Sequence, residues 1–113
     1  MKPVYWVGGS KKDLERLPGR AQHTIRAALF AAQMGRKVDD AKQMHGALRE
    51  AMEIAANDRD GALRGIYYVG KELIYAIHFF QKKSKCGIKT PKRETDLIRS
   101  RLTWARRREQ EDA

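Results

Sequence analysis

Apolar residues recur along the chain with two different periods, and the changes of period divide it into elements. Pro3-Val4-Tyr5-Trp6-Val7 is β-branched and aromatic and reads as a short strand that Gly8 and Gly9 end. Ser10-Lys11-Lys12-Asp13 has the form of a capping box with Asp at the reciprocal position. It predicts a short helix over 11–17, stopped at Pro18-Gly19. Ala21, Ile25, Ala28, Leu29 and Ala32 then fall at helical spacing, which predicts a helix over 20–34 with Gly35 as its C-cap. Ala27, Phe30 and Ala31 broaden that stripe, so burial on more than one side is expected. Residues 36–46 are polar and read as a loop with room for one helical turn. Beyond them the period becomes two, and Leu48, Met52 and Ile54 line one strand face. Asn57-Asp58-Arg59-Asp60-Gly61 is a turn signal. Residues 62–69 and 72–81 are two strands joined by Gly70-Lys71 as a two-residue hairpin link. Thr90 as N-cap and Pro91 at the first helical position open a last helix. It carries Leu97, Ile98, Leu102 and Ala105 inward, with Arg99, Arg101 and Arg106–Arg108 outward or along its rim.

The resulting order is β-α-α-β-β-β-α. The fold class is α+β: one domain over 1–113, an antiparallel sheet packed by helices on one face. The hairpin fixes a parity. Val69 then faces Glu72, Tyr67 faces Ile74 and Arg64 faces Ile77. Arg64, Ile66, Tyr68, Leu73, Tyr75, Ile77 and Phe79 share one face, and Leu63, Tyr67, Val69, Ile74, Ala76, His78 and Phe80 the other. The two sets are about equally apolar, so parity leaves open which face meets the helices. A one-residue bulge exchanges them.

Composition narrows the class. The chain has 113 residues, near the modal size of one domain, with 42% apolar and 34% charged residues. No run approaches the length of a membrane span, and the first ten residues lack the apolar core of a secretory signal. The single cysteine, Cys86, excludes an intramolecular disulfide framework and a cysteine-based zinc site, which suits a reducing, cytoplasmic setting. Net charge is +10, and it is concentrated. Residues 1–81 carry 13 basic and 9 acidic groups, residues 82–108 carry 11 and 2, and the last five residues are net −3. Such polarisation attracts a polyanion to one place, a nucleic acid or an acidic protein.

Catalytic signatures are few. There is no phosphate-binding glycine loop, no dinucleotide fingerprint and no HExxH, and His23, His45 and His78 are far apart. His45 suits a loop, and His78 is either an acid–base group or a strand histidine bonded to backbone. Tyr67, Tyr68, Tyr75, Phe79 and Phe80 at strand spacing suit a core, with base stacking as the alternative. Cys86 sits among lysines in what reads as a loop. The informative stretch is Phe79-Phe80-Gln81-Lys82-Lys83-Ser84-Lys85, where a hydrophobic strand runs directly into a cationic loop suited to gripping phosphate.

The run Tyr75-Ala76-Ile77-His78-Phe79-Phe80-Gln81-Lys82-Lys83-Ser84-Lys85-Cys86-Gly87-Ile88-Lys89-Thr90-Pro91 resembles the signature of the phage-derived, HigB-like branch of the RelE/HigB toxin superfamily. Glu53-Ile54, Gly61-Ala62-Leu63-Arg64, Trp6, Asp13-Leu14, Leu17-Pro18 and Gln33-x-Gly35 also fit, so the resemblance covers most of the chain. It implies a toxin of a type II toxin–antitoxin pair that cleaves mRNA on the ribosome by attack of a ribose 2′-OH on the adjacent phosphate. No cofactor or metal is required by that chemistry. The implied catalytic residues are Arg64, His78 and Lys83, with RNA-binding groups at Lys82, Lys85, Lys89, Lys92 and Arg93. The implied partners are a HigA-like helix-turn-helix antitoxin, the ribosome and mRNA, with no membrane. Two alternatives stay open: a non-catalytic, ParE-like toxin that inhibits by binding, and a basic prophage-derived nucleic-acid-binding module.

Overall fold

The computed structural model describes residues 1–59, 61–82 and 90–111. Five strands and three helices are observed among them. They are β1 (Val4–Trp6), α1 (Ser10–Glu15), α2 (Gly19–Gln33), β2 (Ala41–Gln43), β3 (Ala51–Asp58), β4 (Gly61–Val69), β5 (Ile74–Lys82) and α3 (Lys92–Glu111), with a 3₁₀ turn at Gly46–Leu48. The sheet order is β1-β5-β4-β3-β2, so β4 is its middle strand. The fold is α+β, as the patterning predicts. The sheet is mixed rather than wholly antiparallel, because β1 joins the edge of β5 in parallel. The stretch expected as a loop holds β2, which pairs antiparallel with β3. Its polar residues hid it: on a three-residue edge strand, backbone pairing decides and the side chains need not be apolar.

Helices cover both sheet faces, not one. Leu14 of α1 and Ala21, Ile25, Leu29 and Ala32 of α2 pack on Ile54, Leu63, Tyr67, Ile74, Ala76 and Phe79. Ile98, Leu102 and Ala105 of α3 pack on Ile66, Tyr75, Ile77 and Phe80. The near-equal hydrophobicity of the two strand sets is therefore the mark of a sheet buried on both sides. α2 is buried on one side only, since Phe30 is 53% exposed. Its end is as expected. Gly35 at φ +71° donates to Ala32 O while Arg36 N–H reaches back to Ala31 O, a Schellman closure.

The β4–β5 hairpin differs in register from the expected one. Val69 pairs with Ile74, and the turn spans residues 70–73, closed by Gly70 N–H to Leu73 O at 2.8 Å. A bulge follows. Tyr67 pairs with Ala76 but Ile66 pairs with His78, leaving Ile77 as the extra residue. Residues before the bulge keep the expected faces. After it they exchange, so that Phe79 packs under α2, while Phe80 and His78 lie on the α3 side, stacked at 5.2 Å.

At two helix starts the local signals are used differently. Gly9, not Ser10, precedes α1, and Ser10 is fully buried, its hydroxyl with no hydrogen bond among the described residues. The carboxylate of Asp13 leaves the helix start altogether and points into the sheet layer, as described below. α3 begins at Lys92, with Pro91 O accepting from Glu94 N–H and Thr95 N–H. Of its arginines, Arg101 turns inward rather than to the rim.

Candidate functional site

Arg64 stands on β4, between Ala55 of β3 and Phe80 of β5. It alternates with Leu63, which belongs to the α1–α2 layer, so Arg64 shares the α3 face with Phe80. Its side chain is 20% exposed. Nη1 donates to Leu63 O at 2.9 Å, and Nε lies 3.8 Å from Glu53 Oε2 on β3. Glu53 is 30% exposed. A single long contact between two partly exposed groups contributes about 0–1 kcal/mol, so Glu53 does little to hold the guanidinium. Lys82 ends β5 two residues after Phe80, on the same face. Lys92 and Arg93 are exposed on the first turn of α3. Together with Asp96, Leu97 and Ser100 they line an open groove of about 670 Å³. Lys83, Lys85, Lys89 and Cys86 lie outside the described residues.

His78 is buried, and both ring nitrogens meet carboxylates. Nδ1 is 3.1 Å from Asp13 Oδ2 and Nε2 is 3.0 Å from Glu94 Oε1. Arg101 Nη1 donates to the same Asp13 oxygen at 2.7 Å and to Ile77 O at 3.0 Å, and stands 3.3 Å from His78 Nδ1. A neutral imidazole has one N–H and satisfies one of the two carboxylates at a time; an imidazolium donates to both. The four side chains come from α1, β5 and α3. The bulge makes this possible by setting His78 beside Ile77 on the α3 side. Asp13, Glu94 and Arg101 were missed in the sequence. The first reads as a cap residue, the third as a rim charge, and the second carries no local signal. No periodicity marks a contact that spans 65 or 88 residues.

The five strand aromatics are settled by burial. Tyr67, Tyr75, Phe79 and Phe80 are core, and Tyr68 is partly buried against Tyr75. His45 is exposed beside the 3₁₀ turn. Among the described residues no group of three or more His, Cys, Asp or Glu is arranged to hold a metal ion.

The model of the phage-derived Gp49-like proteins (DUF891) matches residues 12–103, which takes in α1 through most of α3. The chain belongs to this Gp49-like family. No curated protein matches it. Among solved structures, the Gp49-like chain is similar to a chain of the toxin–antitoxin complex RelBE2 from Mycobacterium tuberculosis. The TM-score is 0.53 at 15% identity, over 74% of this chain and 93% of that one. Identity this low speaks to the fold alone, which the Gp49-like chain shares with RelE-like proteins. Within the Gp49-like match lie Arg64, His78, Lys82, Lys92 and Arg93, and also Asp13, Glu94 and Arg101.

Proposed function

We propose that this chain is the toxin of a type II toxin–antitoxin pair, of the HigB-like branch, and that it cleaves mRNA on the ribosome. The observation that carries the reading is Arg64: a weakly paired guanidinium on the middle strand of a RelE-like fold, between Glu53 and the cationic end of β5. In this reading Arg64 holds the scissile phosphate through paired donors as charge develops on it. Glu53, the nearest carboxylate among the described residues, accepts the proton of the attacking 2′-OH; the P–O5′ bond breaks and the leaving 5′-oxygen takes a proton from water. Lys83 is the second cation of the reaction, and Lys82, with Lys85 and Lys89 beyond it, and Lys92 and Arg93 on α3, hold the flanking backbone. The partner is a HigA-like helix-turn-helix antitoxin, whose acidic or apolar surface covers residues 82–108, and the site of action is the cytoplasmic ribosome.

One observation favours a second reading. His78, the acid–base candidate of the sequence, has both nitrogens engaged by Asp13 and Glu94. That arrangement suits a positioning residue, and a toxin that inhibits by binding needs no acid. The test separates the two. Arg64→Ala is expected to keep its thermal midpoint and its antitoxin, and to lose growth arrest, with mRNA cleavage lowered ~10²–10³-fold. Primer extension maps the cuts in cells expressing each form. A wild-type chain that arrests growth without mRNA cuts establishes the binding toxin instead. An Arg64→Ala chain that is folded and cuts at wild-type sites removes Arg64 from the mechanism.

A further inference from the structure

Trp104 lies on the outer side of α3 and is 44% exposed. A single exposed apolar side chain is ordinary on a protein surface, and what sets this one apart is its setting. The indole is also held in place. It stacks on Tyr5 of β1 at 5.5 Å and 27°. Tyr5 lies 6.0 Å from Tyr75, which is fully buried, stacks on Tyr68 at 5.5 Å and donates its hydroxyl to Glu109 Oε2 at 2.8 Å. The indole is thus the open end of an aromatic column rooted in the core.

Two cations flank it. Residues 97–108 contain five arginines and no acid; Arg101 turns inward to Asp13 and Arg106 pairs with Glu50 at 2.8 Å. Arg107 and Arg108 stand three and four positions after Trp104, on its side of the helix. Arg107 is exposed, and the Arg108 guanidinium lies 4.8 Å from the Tyr5 ring centre and 5.9 Å from that of Trp104. The arginines select a polyanion, and the indole selects one that carries flat aromatic faces. Single-stranded RNA has both.

We propose that Trp104 is a stacking platform for an unpaired RNA base, with the exposed Arg107 on a flanking phosphate and Arg108 holding the Tyr5 and Trp104 rings. This is a second RNA contact, on the β1 edge of the molecule, apart from Arg64 on the middle strand. It rests on the reading of the chain as an RNA-directed toxin, and deepens that reading by assigning a single-stranded segment outside the cleaved phosphate.

The test uses the full chain and a 2′-O-methylated oligouridine, which lacks the nucleophile and so reports binding alone. In a Trp6→Phe variant Trp104 is the sole tryptophan. The oligonucleotide is expected to quench its emission saturably, whereas inorganic polyphosphate, a polyanion without bases, binds without quenching. Trp104→Ala is expected to weaken oligonucleotide binding on the order of tenfold with the salt slope unchanged, and Trp104→Phe to restore most of it. Arg107→Glu should lower the salt slope instead. Binding without quenching, equal quenching by polyphosphate, or full affinity in a folded Trp104→Ala chain overturns the proposal. If Trp104→Ala does not fold, the quenching and the Trp104→Phe affinity decide. Cleavage in cells is scored separately. Arg64-dependent cuts with no Trp104 response overturn the platform alone, and a Trp104 response without cuts overturns the nuclease reading alone.

Discussion

Gly65 of β4 is a residue whose smallness the packing requires. A Cβ there falls 2.8 Å from Ile25 Cδ1 and 3.0 Å from Phe79 Cδ1, so α2 and β5 both close on bare backbone. Gly65→Ala is expected to destabilise the chain by about 1–3 kcal/mol, read as a lower midpoint in urea, because two core side chains must shift. Tyr75 and Glu109 make a second residue-scale device. Burial, followed by the hydrogen bond to Glu109, pushes the Tyr75 hydroxyl up to about 12. The Lys71 N–H at 2.6 Å, with the Tyr75 hydroxyl next, holds Glu109 below its ordinary value. The signs give two limbs. Tyr75 favours the folded state below its unfolded value near 10, and that contribution is lost as pH rises towards 12. Glu109 contributes above its unfolded value of 4.5 and is lost as pH falls below it. Thermal midpoints measured across pH should therefore fall at both ends. Tyr75→Phe should flatten the alkaline limb only in part, since burial also raises Tyr67 and Tyr68.

Among elements, α1 is the one most dependent on a few contacts. It is six residues long, far too short to persist alone, and one apolar side chain, Leu14, is buried from it. What ties it to the sheet besides Leu14 is Asp13, through Arg101 of α3 and His78 of β5. The same arginine packs against the chain turn at Gly8, where φ is +54° and an added Cβ would fall 3.1 Å from Arg101 Nε. Asp13→Ala leaves a partly buried cation and an imidazole without their shared acceptor. A loss of about 1–3 kcal/mol is expected. Hydrogen exchange should show the α1 amides losing protection before those of β4 and β5. Equal loss across the sheet would mean that Asp13 acts on global stability and not on the docking of α1.

On the scale of the whole molecule, charge is divided between regions. Residues 82–108 hold 11 basic and 2 acidic groups, while the remaining chain is nearly balanced. A partner that neutralises this region releases counterions, so RNA or ribosome binding should weaken steeply with salt. Charge reversal at Lys92 and Arg93, both exposed, should reduce the slope of log K against log salt; an unchanged slope removes them from the phosphate contact. The same field implies that an antitoxin meets this region with acidic or apolar groups. Interface mapping on a co-purified pair checks this, and an interface confined to residues 11–34 would count against it.

Local sequence determined the elements themselves. Period 3.6 placed α2 and its buried stripe, Gly35 closed that helix, β-branched and aromatic runs placed β4 and β5, and the run through His78 to Pro91 carried the family resemblance. These signals are legible because they depend on neighbours a few residues away. Arg64, Lys82, Lys92 and Arg93 became candidates through the family resemblance and the basic run after β5, not through any local period. The tertiary structure decided what is set by distant contacts. It put helices on both faces of a sheet whose two sides are equally apolar. It inserted the bulge at Ile77, which brings His78 onto the α3 side and sends Phe79 to the other. It took Asp13 from a helix start and Arg101 from a rim and joined them over 88 residues. A bulge is a compromise between pairing register and packing on two layers, and an ion pair across the fold has no period. Neither leaves a local trace for the sequence to show.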